Sequence, residues 1–332
     1  MRFINRPTPI PPEAYEALLD KLTGMVVDRC SPVAVCQIGS VSHPGISDLD
    51  VMVIFEEGQS CTLNIRPMLS EYENNILTHG LFGTTEELLK LSKHYSLFSN
   101  YKILYSSKLE VYLPEDSLLT DKVKGQIALE YLIRLWIALS IQLHYGVLKL
   151  RSLLLEINAL KYDLELLGIG EGRLYEMVHE LIGWRSRWFD QAPTDEQLKK
   201  WFSEFVSVLG GFIRNVLQSR SFYLPASHIS IARNIQLFQD ENLHIYRKGF
   251  RLPSVLSHLS TKYLSLMNRI NSFEVGIPFD IVENKQSRIF ERFSYLKKHN
   301  EYSRIHLPYF GNLGTSLRLD EALKTIAFDG EN

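Results

Sequence analysis

A chain of 332 residues is long enough for two domains, each with a core of its own. Its 45% apolar and 22% charged residues are those of an ordinary globular protein and exclude a disordered or fibrous chain. A formal net charge of −2 gives no general attraction to nucleic acid or anionic membrane, although a local basic groove is compatible with it.

The three cysteines, Cys30, Cys36 and Cys61, follow no recognised spacing. The reading is small buried thiols, with neither a disulfide framework nor a zinc site. Residues 1–12 are polar and proline-rich, which argues against a secretory leader. The apolar run Leu135 to Leu148 is too short to span a bilayer and is bounded by Arg134 and Lys149. A soluble, cytoplasmic protein is expected.

In chain order, Pro11 and Pro12 open a helix on which Tyr15, Leu18, Leu19 and Leu22 repeat at helical spacing. Val33 to Ile38 reads as a strand leading into Gly39-Ser40. Pro44-Gly45 makes the following spacer a loop with at most one helical turn. The chain then reaches Ser47-Asp48-Leu49-Asp50 and a second strand, Val51 to Phe55. Glu56 to Ser60 is a turn, and Met68 to Asn74 has helical character. Ile76 to Phe82 reads as a third strand. A helix with Glu86 and Glu87 in its first turn then runs toward Tyr95. Tyr101 to Tyr105 and Leu109 to Leu113 are alternating, apolar segments ending at Pro114.

The texture changes near Leu118. Ile127 to Leu167 predicts two helices, or one kinked near Gly146. Gly172 to Trp188 predicts another helix. Thr194 starts a further one, with Gly210-Gly211 interrupting it before Phe212 to Leu217. Ile235 to Phe238 and Leu243 to Tyr246 read as a β-hairpin, followed by helices over Val255 to Asn271 and Asn284 to Lys298. The expected class is α+β. A mixed sheet with flanking helices occupies residues 1–117, and a mainly helical domain with a β-hairpin occupies 118–332.

Chemistry concentrates between Gln37 and Phe55. Asp48 and Asp50 lie two apart where strand alternation begins, so both carboxylates project from one face. Two like charges side by side are costly unless a cation lies between them. Hard oxygen donors suit Mg²⁺, which binds through one or two carboxylates and completes its shell with substrate phosphates. A glycine before Ser40 lets backbone N–H groups approach such a phosphate.

Gly39-Ser40, a short spacer, and Asp48-Leu49-Asp50 followed by apolar residues resemble the DNA-polymerase-β-type nucleotidyltransferase superfamily. The resemblance covers about the first third of the chain, roughly residues 13–114. It implies that the turn at Gly39 and Ser40 holds an NTP triphosphate and that Asp48 and Asp50 hold two Mg²⁺ ions. Ser47 is placed beside them as a nucleotide-binding or loop-capping residue. The implied activity is transfer of a nucleoside monophosphate to a hydroxyl of a small molecule, a protein or an RNA end. The lack of strong basic character favours the first two acceptors over long nucleic acid.

The superfamily's third carboxylate belongs on the strand after the paired acids. Here that segment, Ile76 to Phe82, offers only Thr78 and His79 as polar positions. His79 could act as base or metal ligand, or bond only to backbone. Glu110 could reach the metal from a neighbouring strand, or lie at an exposed edge. The missing acid also leaves open a catalytically degenerate nucleotide-binding or scaffolding protein. In the second domain, Arg151, Asn158 and Tyr162 share a helix face, with Lys161 nearby. Trp184 to Trp188 and Arg247 to Arg251 mix cations with aromatics.

Overall fold

The computed structural model describes residues 1–305 apart from 60, 62, 98–99, 109, 112, 114–117, 233 and 251–260. In chain order the elements are β1 (Arg2–Ile4), α1 (Pro12–Cys30), β2 (Ala34–Ile38), β3 (Asp50–Phe55), α2 (Glu71–Ile76), β4 (Leu81–Thr85), α3 (Glu86–Tyr95) and β5 (Tyr101–Ser106). There follow α4 (Asp121–Tyr145), β6 (Val147–Lys149), α5 (Leu150–Leu166), α6 (Arg173–Ser186), α7 (Asp195–Ser219), β7 (Tyr223–Leu224), β8 (His228–Ala232) and β9 (Ile235–Gln239). The last are β10 (His244–Lys248), α8 (Thr261–Ile270), β11 (Ser272–Ile277), β12 (Asp280–Ile281) and α9 (Arg288–Ile305). The class is α+β, as expected.

Two compact units share these elements. Among the described residues, one takes 1–7 and 124–290, the other 8–123 and 291–305. Compared with the expected limits of 1–117 and 118–332, β1 groups with the later elements because it pairs in parallel with β6. Most of α9 groups with the earlier ones. There the Arg292 guanidinium donates to the Tyr95 carbonyl at 3.1 Å and the Tyr295 hydroxyl to the Leu88 carbonyl at 3.4 Å.

The unit around residues 8–123 is built on a four-stranded sheet of order β4-β3-β2-β5. β2 is antiparallel to both β3 and β5, and β3 is parallel to β4. Strand alternation divides its side chains cleanly. Val51, Val53 and Phe55 join Tyr15, Leu18, Leu22 and Val26 of α1 in one core. Met52 and Ile54 join Cys36, Ile38, Phe82 and Leu89 in the other. Each of these fully buried side chains contributes roughly 1.5–3 kcal/mol by leaving water. Ser70 caps α2 through a capping box with Glu73, and the Thr85 hydroxyl caps α3 by accepting the Leu88 N–H at 3.3 Å.

Several expectations are corrected here. The third strand does not begin at Ile76, which ends α2 and leaves Thr78 and His79 in the connecting turn. Gly80, at φ +76, supplies the left-handed turn that starts β4 one residue later. The Leu109 to Leu113 segment forms no strand at its described positions, and 109 and 112 lie outside the described residues. The thiol reading also fails for two cysteines. Cys30, at the end of α1, and Cys61, in the loop after β3, are bonded as a disulfide with Cα atoms 5.4 Å apart. Only Cys36 is a free, buried thiol, pushed up to about 12 by its burial.

In the other unit, Ile127 to Leu167 resolves into two helices, α4 and α5. Gly146, at φ +67, ends the first, and β6 follows at once. Gly210-Gly211 does not interrupt α7, which runs unbroken from Asp195 to Ser219. Gly210 is there for packing, since a Cβ would lie 2.6 Å from Nε1 of Trp136. By length and composition alone α4 could cross a membrane, and 72% of its most apolar window is buried within the protein. The two predicted hairpin strands form, as β9 and β10, but do not pair. β11 lies between them, parallel to β9 and antiparallel to β10, in a sheet of order β10-β11-β9-β8. The predicted helix over Val255 to Asn271 is described from Thr261 to Ile270, and its earlier part lies outside the described residues.

Candidate functional site

Ile38 stands opposite Asp50 in the β2–β3 register, so the Gly39-Ser40 turn and the paired acids emerge at the same end of the sheet. Gly39 adopts φ +69, and no atom lies within 4 Å of where its Cβ would sit. Its N–H donates to the Asn100 carbonyl at 3.0 Å, which holds the turn against the start of β5. Ser40 is exposed beside it. A phosphate thus has open access to this turn, although the Gly39 amide is already engaged.

The loop from Gly39 to Asp48 is held from beneath by α1. The buried Tyr15 hydroxyl donates to the Ser47 carbonyl at 2.8 Å and accepts the Gly45 N–H at 2.9 Å. The His43 carbonyl accepts the Ile46 and Ser47 N–H groups at 2.9 and 2.7 Å. The Ser47 hydroxyl accepts the His43 N–H at 3.1 Å and is buried inside the loop. Ser47 therefore fastens the loop, with its side chain buried. Tyr15 was legible only as a core residue; a hydroxyl on an otherwise apolar stripe was the available signal.

Asp48 and Asp50 differ in their surroundings. Oδ2 of Asp48 accepts the Thr78 hydroxyl at 2.6 Å and lies 3.3 Å from Nε2 of His79. The Arg66 guanidinium donates to the Thr78 carbonyl and so anchors the same turn. Asp50 is half-buried, and its Oδ1 is shielded from solvent with no hydrogen-bond partner. Burial, then the neighbouring charge of Asp48, pushes its carboxyl up to about 7, opposed in part by His79. β4 runs parallel to β3 with Leu81 beside Val51, so the preceding residue, Gly80, falls beside Asp50. No acid occupies that neighbouring position.

An orphaned, buried carboxylate oxygen next to a second carboxylate fits a divalent cation. The donors are hard oxygens, as Mg²⁺ requires. Among the described residues no group of three or more His, Cys, Asp or Glu side chains forms a cage. Any cation here would complete its shell with ligand or water.

Glu110 is not brought to these residues. β5 runs antiparallel to β2, with Tyr101 opposite Ile38 and Ser106 opposite Ala34, so the chain leaves β5 at the far end of the sheet. Lys108 marks that end by pairing with Glu56 and Glu86 at 3.2 and 2.7 Å. Glu110 is exposed in the coil beyond it.

The cation and aromatic candidates of the other unit also separate. Arg151 is buried, Asn158 is half-buried and Tyr162 is exposed, so along their shared face of α5 they form no continuous solvent-exposed stripe. Lys161 pairs with Glu165 at 3.7 Å. Trp188 and Arg185 are buried, and Trp184 packs on Trp201, so this segment offers no stacking face. Arg247 contacts His144, Lys248 pairs with Glu274, and 251 lies outside the described residues. Comparison with protein-family models, curated proteins and solved structures finds no match to this chain.

Proposed function

We propose that the protein is a Mg²⁺-dependent nucleotidyltransferase that moves a nucleoside monophosphate from an NTP to a hydroxyl of a small molecule or protein. The observation that carries this reading is the shielded, unpartnered Oδ1 of Asp50 beside Asp48, at the sheet end where the open Gly39-Ser40 turn emerges. The resemblance of the same residues to the DNA-polymerase-β-type superfamily agrees with it.

Asp48 and Asp50 would hold Mg²⁺, whose positive charge offsets the charge that grows on the transferring phosphoryl group and departing pyrophosphate. Ser40 and the exposed backbone around it receive the β- and γ-phosphates. The acceptor oxygen bonds to the α-phosphorus as the bond to the pyrophosphate oxygen breaks. His79, held against Asp48, takes the acceptor's proton. Incubation with each NTP, Mg²⁺ and candidate acceptors tests the proposal. Pyrophosphate release should appear in the wild type and vanish in Asp50→Asn; equal release by both would falsify it.

A second reading has one observation in its favour. Gly80 stands where a third carboxylate would face Asp50. A chain that binds NTP without turnover would show calorimetric NTP binding that Asp48→Ala abolishes, with no pyrophosphate released under any acceptor.

A further inference from the structure

The loop after β3 carries both Cys61, half of the disulfide, and Arg66, which braces the turn beside the paired acids. At its described positions the stretch 56–70 holds one regular element, the short helical turn Arg66–Met68. Side chains set its course. Cys61, Ile65 and Leu69 are buried in the core that α1 shares with β3. Cys30 at the end of α1 is bonded to Cys61, and the Arg29 guanidinium beside it donates to Sδ of Met68 at 3.1 Å. The last two residues of α1 thus hold the loop on both sides of Arg66.

From Arg66 the contacts lead to the acids. The Leu49 N–H donates to the Ile76 carbonyl at 3.1 Å, so the end of α2 lies against the start of the acid strand. The turn beyond it carries Thr78 and His79. Arg66 donates to the Thr78 carbonyl, while Nδ2 of Asn74 donates to the Arg66 carbonyl at 3.1 Å. The Thr78 hydroxyl and the His79 ring both meet Oδ2 of Asp48, at 2.6 and 3.3 Å. These contacts join the disulfide to Asp48 through Arg66 and Thr78. Coupling along such a chain requires an element with two arrangements, and a loop either tied or untied at Cys61 supplies one.

We propose that the Cys30–Cys61 disulfide is a redox switch on the Asp48–Asp50 cation site, with Arg66 as the positioning residue that transmits its state. The inference rests on the reading of those acids as a Mg²⁺ site. Cys61 is buried and Cys30 half-buried, so Cys30 presents the sulfur open to attack. A thiolate of a dithiol reductant bonds to Sγ of Cys30, the bond between the two cysteine sulfurs breaks, and Cys61 leaves as a thiolate that takes a proton. The reductant's second thiolate then displaces Cys30, which takes the other proton. The reductant ends as a disulfide and the protein as two thiols. Oxidised, the loop holds Arg66 on the Thr78 turn; reduced, it releases that turn, and Asp48 loses a fixed orientation toward the cation.

Calorimetric titration of the full-length protein with Mg²⁺ tests this, in the oxidised form, after dithiothreitol and after reoxidation. The temperature is one at which near-UV circular dichroism shows all three folded, and Asp50→Asn identifies the binding that belongs to the site. Reduction should weaken that binding about tenfold, and reoxidation should restore it. Cys30→Ser should bind as the reduced protein does with or without reductant, whereas Cys36→Ala should respond as the wild type does. Arg66→Met, with its disulfide intact, should bind as weakly as the reduced wild type and lose nothing more on reduction, and Arg66→Lys should recover part of the affinity. Equal affinity in the oxidised and reduced wild type, or an Arg66→Met loss that multiplies with that of reduction, overturns the inference and leaves the cation site standing. No binding, or binding that Asp50→Asn does not diminish, overturns the cation site and the switch with it.

Discussion

The Thr78 hydroxyl donates to Oδ2 of Asp48 at 2.6 Å, although thirty residues separate the two in sequence. That hydrogen bond fixes one of the two acids while Oδ1 of Asp50, on the same strand face, is left without a partner. One carboxylate is thereby oriented and the other left open, an arrangement compatible with the proposed cation site.

Thr78→Val keeps the shape of the side chain and removes the donor. A hydrogen bond to a charged group is worth roughly 1.5–3 kcal/mol, so Mg²⁺-dependent turnover should fall about 10- to 100-fold. Thr78→Ser should restore most of it. Steady-state pyrophosphate release measures both, and full activity in Thr78→Val would show that Asp48 is oriented by other groups.

The Asp50 carboxyl gives a pH dependence of definite sign. Its value near 7 in the folded protein lies above that of an unfolded aspartate, so the folded state holds the proton more tightly. The associated stability is fully present below about pH 4 and is lost as pH rises through 7. Without metal, the melting temperature should therefore fall between pH 5 and 8 more steeply in wild type than in Asp50→Asn. Mg²⁺ added at pH 8 should recover it in wild type alone, and its affinity should rise with pH over the same interval. Parallel melting curves for the two proteins would contradict the assignment.

The Cys30–Cys61 disulfide, with a sequence separation of 31, encloses both strands and the whole Gly39 to Asp50 segment. Closing a loop of that size removes unfolded-state entropy worth about 3–4 kcal/mol. Urea unfolding in the presence of dithiothreitol should shift to lower midpoint by a corresponding amount, and Cys30→Ser should unfold at that lower midpoint with or without reductant. A midpoint insensitive to reductant would mean that the two sulfurs are not joined in solution.

Gly210 and Gly211 are adjacent in α7 but should respond in opposite ways. A methyl at 210 meets the Trp136 ring, whereas nothing lies within 4 Å of one at 211. Gly210→Ala should cost about 1–3 kcal/mol by overpacking. Gly211→Ala should stabilise by up to about 1 kcal/mol through helix propensity. Thermal unfolding of the two variants decides it, and equal shifts would remove the steric account.

Local order was readable from the chain because it is written in local terms. The apolar spacing of α1, the strand before Gly39, the strand after Asp50 and the Thr194 start of α7 each rest on residues within a few positions of one another. The convergence of the Gly39-Ser40 turn and Asp50 was legible for the same reason, since a short loop joins two antiparallel neighbours. What needed the folded chain were relationships that loop closure and strand direction decide. β11 displaced the predicted β9–β10 pairing because both edges found a better partner some thirty residues onward. Glu110 fell at the wrong end of the sheet because β5 runs antiparallel to β2. Cys30 met Cys61, and Tyr15 met the backbone of Gly45 and Ser47, only once α1 had packed on the sheet. The amino-acid order by itself determined most of the helices, the two strands that flank the Gly39 to Asp50 loop, and where two acids lie side by side. Tertiary packing alone decided what stands next to those acids, because burial and partner choice are properties of contacts between distant residues.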